Sequence, residues 1–333
     1  STSRRQRQMC IRDRDILVSI LTPCYNGAKY IDRYAKSLLA QDYSNCQLIF
    51  MDDGSTDNSK ELIMSYEKQF KDRGFSFEYY YHDNLGLGAT IAEGIKYVKG
   101  SYLVWPDVDD TLPVDSISKK VFYLEQKAEY GLVRTRFMKI IEGTGFNHSE
   151  IGPSFKFDPN KENLFEDYLL SRGAWLQPGC FMVRMSAFDD ANPNRYIFPT
   201  RRGQDWQMLL PIMYKYKCGF IDEPLYEYYI RKGSMSDQTN DILETVLHRY
   251  DMYEESITET VKHMNIPNCS MYIQMVHNHY LEEKLGRSFD YCDKNKAKIF
   301  FNELRKNKAV TPKALVKYLL VQTPFLNNVI TVS

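Results

Sequence analysis

Apolar and polar positions follow two alternating patterns along the first third of the chain. A short apolar run rich in strand-forming residues covers 16–21, and apolar side chains then recur at helical spacing over 29–41. The same succession continues with predicted strands at 47–51, 75–81 and 102–105 and predicted helices at 57–70 and 88–98. Alternating strands and helices with short links predict an α/β fold, in which helices cover both faces of a mostly parallel sheet.

Helical patterns dominate after about residue 239, where strand signals are few. The helices predicted there cover 242–257, 270–285, 296–306 and 312–322. The first fourteen residues carry five arginines and almost no apolar pattern, and we interpret them as a disordered leader, foreign to the native gene on one interpretation. The predicted organisation is a leader over 1–14, a sheet-containing domain over 15–238 and a helical region over 239–333.

The composition of the chain argues against several classes of function. Lys and Arg together number 43, as do Asp and Glu, so the chain lacks the basic excess of a nucleic-acid-binding protein. No apolar run approaches the ~20 residues that span a bilayer, and the first residues lack the pattern of a secretory signal. The seven cysteines contain no C-x-x-C pair, which is typical of free thiols in a reducing compartment. We therefore expect a cytoplasmic protein that binds no nucleic acid.

Candidate chemistry lies directly after three of the predicted strands. Ligands of such sheets bind beyond the carboxyl ends of the strands, which singles out 23–27, 52–57 and 106–110. In the last segment, Asp107 and Asp109 form a D-x-D pair whose carboxylates can reach the same cleft. Mg²⁺ and Mn²⁺ take such oxygen ligands and bridge them to substrate phosphates, so the pair indicates a metal site. A solvated acidic turn is the alternative explanation.

The segment 52–55 permits two interpretations of equal weight. Its Asp, Gly and Ser residues suit a tight link, and the helix that follows is expected to use Asp57 or Ser59 as its N-cap. Alternatively, Asp53 accepts the imide N–H of a uracil base, while Gly54 lets the base approach the backbone. The residues alone favour neither interpretation.

Taken in order, the motifs resemble those of the inverting family 2 glycosyltransferases of GT-A fold. The matching segments are Val18-Ser-Ile-Leu-Thr-Pro-Cys-Tyr-Asn26, Asp52-Asp-Gly-Ser-Thr-Asp57, Asn84-x-Gly86, Gly94-Ile95, Gly100 and Asp107-x-Asp109-Asp110. Gly203-Gln-Asp-Trp-Gln207 is similar to the G-E-D-W-E motif of the family. Ile221–Tyr226 and Gly233–Ser236 resemble the stretch that closes the catalytic domain. The resemblance covers about residues 15 to 238 and implies a GT-A glycosyltransferase domain there.

The resemblance implies roles for the matching positions. Residues expected to bind a UDP-sugar are Pro23, Tyr25, Asn26, Asp53, Gly54, Asn84, Gly86, Asp107, Asp110 and Arg231. Tyr25 would stack on the uracil ring, and Asp53 would read the edge of the base. Asp109, together with Asp107, would hold Mn²⁺ or Mg²⁺. Asp205 would be the general base that takes the proton from the acceptor hydroxyl, and a helix N-cap is the alternative role for it.

The implied reaction moves a hexose or N-acetylhexosamine, with inversion, to a saccharide or lipid-linked acceptor in bacterial surface polysaccharide or lipid-linked oligosaccharide synthesis. Two positions depart from the family. Thr90-Ile91-Ala92 stands where Ala-Arg-Asn is common, and Arg231 replaces a common histidine. We propose that Arg231, with Arg201 or Arg202, supplies the positive charge that Ile91 lacks. These departures keep open the alternative of an inactive nucleotide-sugar-binding scaffold.

Two other classes of α/β protein are excluded. A dinucleotide-dependent oxidoreductase needs G-x-G-x-x-G in the first strand–helix turn, and that turn here is Pro-Cys-Tyr-Asn-Gly. A P-loop kinase or ATPase needs G-x-x-x-x-G-K-[ST], which does not occur in the sequence.

The segment 294–317 is strongly basic within a neutral chain. It contains one acid, Glu303, and eight basic residues, which are Lys294, Lys296, Lys298, Arg305, Lys306, Lys308, Lys313 and Lys317. A solvated helix face with ordinary core contacts is one interpretation. The other is a surface helix over 294–320 that rests on an anionic membrane and brings the enzyme to a lipid-linked acceptor.

Overall fold

The structure is a computed structural model that describes residues 16–142, 148–231 and 242–323. The chain divides into two compact units, Ser1–Asp237 and Gln238–Ser333. The leader expected over 1–14 and the expected closing motif Gly233–Ser236 lie outside the described residues.

Among the described residues of the first unit, eight strands form one mixed sheet. They are β1 (Val18–Cys24), β2 (Cys46–Asp53), β3 (Ser76–His82), β4 (Tyr102–Val104), β5 (Tyr130–Ile141), β6 (His148–Gly152), β7 (Phe181–Arg184) and β8 (Lys217–Ile230). Their order is β3-β2-β1-β4-β7-β5-β6, and β8 pairs with β5. The pairs β1–β2, β2–β3, β1–β4 and β5–β8 are parallel, whereas β7 and β6 run antiparallel to their neighbours.

In the part of this unit that the structure describes, eight α-helices accompany the sheet. They are α1 (Ala28–Leu39), α2 (Ser59–Ser65), α3 (Glu67–Asp72), α4 (Leu87–Gly94), α5 (Ser116–Glu125), α6 (Phe165–Leu169), α7 (Met185–Ala191) and α8 (Gln204–Lys215). Short 3₁₀ turns follow α4 and precede β7. The predicted α/β fold is confirmed.

The central strands are buried along their whole length because helices cover them. Every residue of β1 and β2 is buried. The buried hydroxyl of Ser19 donates to Gln47 at 2.6 Å and accepts from the Gly100 N–H, so this polar side chain is satisfied within the core. In the parallel register Cys24 pairs with Asp52. The carboxyl ends of β1 and β2 therefore reach the same edge of the sheet, and the loops that carry the candidate residues meet there.

The helix predicted at 57–70 differs from the observed structure in two ways. It is interrupted at Tyr66, which separates α2 from α3. Asn58, rather than Asp57 or Ser59, occupies the cap position of α2, and its side chain makes no cap hydrogen bond. The Asp57 carboxylate nevertheless accepts the N–H of Ser59, the first residue of α2, at 3.0 Å. Asp57 and Ser59 also accept the N–H groups of Ala28 and Gly27, respectively, at the start of α1. Their hydrogen bonds thus join the loops after β1 and β2.

Four helices form the described part of the second unit, which confirms the predicted helical C-terminal region. They are α9 (Leu243–His263), α10 (Cys269–Asp290), α11 (Lys294–Lys306) and α12 (Pro312–Gln322). The side chains of Asp293 and Thr311 accept backbone N–H groups at the starts of α11 and α12. Leu285, Leu304 and Ala314 are among the fully buried residues that join α10, α11 and α12. No helix in the described ranges is both long and apolar enough to span a bilayer.

Candidate active site

The loop after β1 is fastened to the loop after β2 by hydrogen bonds around Asn26. Asn26 has a left-handed backbone with φ 50°, and its side-chain oxygen accepts the Thr56 N–H at 2.8 Å. Its own N–H donates to the Ser55 hydroxyl at 2.9 Å. Pro23 is buried just before this loop, whereas the Tyr25 side chain is 53% exposed. The aromatic ring of Tyr25 is therefore available to stack on a ligand.

Asp53 holds the loop that follows β3. Its carboxylate accepts the Leu85 N–H at 2.7 Å and the Gly86 N–H at 3.0 Å. The Asn84 side chain donates to the Asp53 backbone carbonyl at 3.1 Å. Gly54, with φ +75°, lies so close to this loop that a Cβ atom would sit 2.6 Å from the Asn84 nitrogen. Asp53 and Gly54 thus bring the Asn84–Gly86 loop against the end of β2, and their contact with a base stays a prediction.

Arg201 covers the same loop from the segment that precedes α8. A Cβ atom on Gly86, whose φ is +93°, would lie 2.8 Å from Arg201 Cγ. The guanidinium of Arg201 donates to the Asn84 side-chain oxygen at 3.4 Å. Ile91, the position where the family often has arginine, is buried in α4. Arg201 is exposed beside this loop, so it can supply the positive charge that Ile91 lacks.

Three carboxylates converge just after β4. One oxygen each from Asp107, Asp109 and Asp110 lies within 4.8 Å of the others, a spacing that fits a shared divalent ion. Asp107 and Asp109 are partly exposed, whereas Asp110 is buried. The residues that the sequence assigns to the metal and the diphosphate therefore share one small volume.

Asp110 is held by the end of β8. Its carboxylate accepts the Tyr226 hydroxyl and the Tyr229 N–H, the latter at 2.8 Å. Burial, and secondarily the nearby Asp109 carboxylate, raises the pKa of Asp110 to about 8. Both Asp110 oxygens have protein donors within the core, whereas Asp107 and Asp109 are partly exposed, which favours Asp107 and Asp109 as the ligands of an ion.

Asp109 lies between two arginines. Arg231 Nη2 pairs with the Asp109 carboxylate at 2.7 Å, and its guanidinium lies 4.1 Å from the centroid of the Tyr30 ring. Arg33 donates to the Asp109 carbonyl and pairs with Glu142, so it fixes the backbone of the acidic loop. Arg231 Nη1 is buried without a hydrogen-bond partner in the described residues. An unpaired guanidinium nitrogen beside a candidate metal site is suited to an anionic oxygen of a ligand.

Asp205 lies in the first turn of α8. Its N-cap role is wrong, because Gly203 occupies the cap position and Asp205 is the second residue of the helix. The Trp105 indole N–H donates to one carboxylate oxygen at 3.0 Å, and the Gln204 amide donates to the other at 3.1 Å. Burial raises the pKa of Asp205 to about 7, against the opposing effect of the Trp105 hydrogen bond.

The electrostatics of Asp107 join these residues into one site. Although the Asp107 residue is partly exposed as a whole, its carboxyl group is enclosed by protein, and this burial raises its pKa. The charges of Asp109, Asp110 and Asp205 raise it further. The positive charge of Arg231 acts in the opposite direction. Asp205 is therefore close enough to Asp107 for their charges to interact, although 98 residues separate them in sequence. A carboxylic acid with a pKa near neutrality, beside a cluster that can bind a cation, is typical of a catalytic site.

Several contacts in this site could not be predicted from local pattern. No role is predicted from the sequence for Trp105, Tyr226, Tyr229 or Arg33. The first three donate to candidate carboxylates, and Arg33 donates to the Asp109 backbone carbonyl. The only available signals were the position of Trp105 directly before the acidic motif and the resemblance of the stretch ending at Tyr226 to the closing part of the family domain.

The family model of the glycosyl transferase family 2 matches residues 19–191, which is just over half of the chain. The chain belongs to glycosyl transferase family 2. The match begins in β1 and ends in α7, so it includes the three strand-end motifs and stops before Asp205.

Relatives of this family 2 chain are found among curated proteins and solved structures. An uncharacterised glycosyltransferase of Rickettsia conorii is 31% identical over 184 residues, which are 53% of this chain and 29% of that protein. The chain thus spans less than a third of that relative. Residues 1–349 of TarS from S. aureus, in complex with UDP-GlcNAc, superpose with a TM-score of 0.59 at 15% identity over 94% of this chain and 92% of that one.

The mannosyltransferase PcManGT from Pyrobaculum calidifontis, in complex with GDP-Man and Mn²⁺, has a TM-score of 0.55 at 14% identity. The likeness covers 94% of the family 2 chain and 83% of that one. At these identities the likeness shows the fold alone, and it confirms the GT-A fold class.

Proposed function

We propose that this family 2 chain moves a hexose or N-acetylhexosamine from a UDP-sugar to an acceptor hydroxyl, with inversion at the anomeric carbon. The observation that carries the proposal is the meeting of the Asp107–Asp110 cluster with Asp205 at the carboxyl edge of the sheet. The cluster can bind a cation that in turn binds the diphosphate, and the separate carboxylate of Asp205 can accept a proton. TarS in complex with UDP-GlcNAc and PcManGT in complex with GDP-Man and Mn²⁺ support a nucleotide-sugar donor by fold analogy.

Asp109 and Asp107 are the proposed ligands of Mn²⁺ or Mg²⁺. Both ions prefer carboxylate oxygens, and the spacing of the cluster fits one ion. A bound divalent cation supplies positive charge that stabilises the departing diphosphate. Asp110 orients the loop instead, because Tyr226 and Tyr229 occupy its carboxylate.

Asp205 is the proposed general base. It would take the proton from the acceptor hydroxyl as that oxygen bonds to the anomeric carbon and the bond from that carbon to the diphosphate oxygen breaks, which releases UDP. A single base is enough for this single displacement. The hydrogen bonds from Trp105 and Gln204 hold the carboxylate in one orientation, which favours proton transfer in a defined direction.

The nucleoside is proposed to bind along the loops after β1, β2 and β3. The exposed ring of Tyr25 would stack on the base, next to Pro23 and Asn26. Asp53 and Gly54, at the end of β2, would face the base. Hydrogen bonds from Asn84 and Gly86 to Asp53 hold the neighbouring loop beside them. Arg201, which contacts Asn84, would stand near the phosphates.

Arg231 is proposed to bind the diphosphate through its unpaired nitrogen. Arg231→Ala should weaken UDP binding in the presence of Mn²⁺ by at least about tenfold, because a charge-assisted hydrogen bond is lost. Arg231→Lys should restore only part of the affinity, since an ammonium cannot contact Asp109 and a phosphate in the planar geometry of guanidinium. Isothermal titration with UDP measures both effects.

Lys215→Ala is the matched control for Arg231, because Lys215 pairs with Asp190 at the far end of α8. We expect its affinity for UDP to equal that of the wild type. Equal affinities of Arg231→Ala and wild type for UDP would contradict the proposed contact.

The acceptor is proposed to be a saccharide or a lipid-linked sugar, in the synthesis of bacterial surface polysaccharide or lipid-linked oligosaccharide. This assignment rests on family analogy. The second candidate function is an inactive scaffold that binds a nucleotide-sugar without turnover, and the buried Ile91 in place of arginine favours it. Turnover separates the two, because a scaffold binds UDP and releases none from its donor.

Release of UDP from a panel of UDP-sugars, with Mn²⁺ or with EDTA, tests the proposed function. We expect one or a few donors to release UDP in the presence of Mn²⁺, and the rate to fall to background with EDTA. If every donor remains intact while UDP and Mn²⁺ still raise the melting temperature, the chain is a scaffold. If neither binding nor release is observed, a nucleotide-sugar function is wrong.

The pH dependence of sugar transfer should follow the protonation of the Asp205 carboxyl group. Asp205 must be deprotonated to accept a proton, and its pKa is raised to about 7. The value of kcat/KM should therefore fall about tenfold per pH unit below that pKa and level off above it. Trp105→Phe removes a donor to the charged carboxylate, so the acid limb should move to higher pH. An acid limb near the ordinary aspartate value of ~4 would contradict the role of Asp205.

A further inference from the structure

The outer face of α12 carries apolar side chains that are exposed to solvent. Leu315, Val316, Leu319 and Leu320 are 42%, 54%, 55% and 37% exposed. On the opposite side of the helix, Ala314 and Val321 are buried in the core that α12 shares with α10 and α11. Exposed apolar residues occur singly on most proteins, but four at helical spacing form a continuous stripe. We name these four residues the apolar stripe.

Lys313 borders the apolar stripe, and the helix packed against α12 carries further basic residues. Lys313 is exposed and precedes Val316 by three positions and Leu320 by seven, so it lies along one side of the stripe. The neighbouring helix α11 packs on α12 through stacked rings of Phe301 and Tyr318, whose centroids are 4.0 Å apart. Further exposed basic residues on α11 and just after it are Lys298, Arg305, Lys306 and Lys308.

The charge of this region has little internal compensation. Eight basic residues and one acid lie between Lys294 and Lys317, a local net charge of +7 in a neutral chain. Lys296 pairs with Glu244, and Lys306 approaches Glu303 at 3.9 Å. Lys298 and Lys313 are both exposed to solvent. An uncompensated basic helix pair beside an exposed apolar stripe needs a partner that is both apolar and negatively charged.

We propose that the apolar stripe and its lysines dock on the surface of an anionic lipid bilayer. Leucine side chains would enter the boundary between head groups and acyl chains, while lysines remain at the level of the anionic head groups. The proposed contact is peripheral, with α12 lying in the plane of the head groups. Charge distinguishes this partner from a second copy of the chain. Two copies would bring two basic regions together, and protein interfaces are depleted in lysine.

Cosedimentation of the full chain with vesicles tests this proposal. We expect binding to vesicles of phosphatidylcholine with phosphatidylglycerol in equal parts, and little binding to phosphatidylcholine alone. Added NaCl should weaken binding, since lysine contacts with head groups are screened. Leu319→Glu should lower the partition coefficient between vesicles and water at least about tenfold. It removes apolar area that would be buried in the bilayer and adds a negative charge.

Met271→Glu is the matched control. Met271 is 47% exposed on a helix of the same unit and gains the same charge on substitution. Glu282 accepts a hydrogen bond from Thr311, the N-cap residue of α12. Met271 lies eleven residues before Glu282, a distance of about 16 Å along α10, and is therefore away from the start of α12. Met271→Glu should bind vesicles as the wild type does. Because Leu319 is exposed, both variants should keep the wild-type circular dichroism and release UDP from the donor in solution at the wild-type rate.

Three outcomes would overturn the proposal. The first is absence of phosphatidylglycerol-dependent binding by the wild type. The second is equal binding by Leu319→Glu and wild type. The third is a dimer in light scattering that Leu319→Glu dissociates, which would assign the stripe to contact between copies of the chain. Lipid binding and UDP release are measured separately, so failure of one leaves the other result interpretable.

Discussion

Replacing Asp205 with asparagine should lower kcat for sugar transfer by about 100- to 10,000-fold and leave the Kd for UDP unchanged. The substitution removes the ability to accept a proton but keeps the shape of the side chain. The Asn oxygen can still accept the Trp105 N–H, so the start of α8 should keep its structure. UDP release in the presence of acceptor measures the first quantity, and isothermal titration measures the second.

Asp190→Asn is the control for the Asp205 substitution. Asp190 is an exposed aspartate that accepts hydrogen bonds from Lys215 and Tyr216, so the same chemical change occurs away from the cleft. We expect wild-type turnover from it. Full activity of Asp205→Asn would remove Asp205 as the base, and a loss of UDP binding in that variant would show that it acts on the nucleotide instead.

Asp109→Ala should abolish the Mn²⁺-dependent part of UDP binding, with a loss of affinity on the order of 100-fold. Asp109 is a partly exposed carboxylate of the cluster and pairs with Arg231, whereas the buried Asp110 is held by Tyr226 and Tyr229 and is not expected to take its place. Loss of one of two protein ligands leaves the cation held mainly by the diphosphate. Titration of UDP with Mn²⁺ and with EDTA separates the metal-dependent part of the affinity from the remainder.

A matched control for Asp109 is Asp222→Ala. Asp222 also pairs with an arginine, Arg136, but on the exposed part of β8, so the variant breaks a similar ion pair outside the cleft. Its metal-dependent affinity for UDP should equal that of the wild type. If Asp109→Ala retained the full effect of Mn²⁺, the acidic motif would be a structural turn and the metal site would lie elsewhere.

The first half of the sheet could be predicted from the sequence because each strand and helix there has its own pattern of apolar residues within a short segment. Strands β1, β2 and β4 are largely apolar runs, each followed within three residues by Gly or Pro, and the helices between the strands show apolar residues at a spacing of 3.6. The placement of Asp107 and Asp109 at a strand end followed from that alternation alone. The break at Tyr66 was missed because the apolar spacing continues through it from α2 into α3.

The second half of the sheet depends on pairings that a periodic pattern does not encode. β7 lies antiparallel between β4 and β5, and β8 pairs parallel with β5, so the order in space differs from the order in sequence. The same long separations build the site. Asp110 is held by residues 116 and 119 positions away, and Trp105 reaches Asp205 across 100 positions. Family motifs suggested that these segments belong together, but only the fold shows their contacts.

The position of a bound Mn²⁺ in a crystal grown with UDP tests the central claim most directly. Anomalous scattering locates the ion without reference to any assumed role of the residues. We expect one strong peak within about 2.0–2.3 Å of carboxylate oxygens of Asp109 or Asp107, as typical of divalent ions with oxygen ligands, with the uracil ring against Tyr25. A peak at any other carboxylates, or UDP bound away from the loops after β1 and β2, would contradict a shared cleft for sugar transfer.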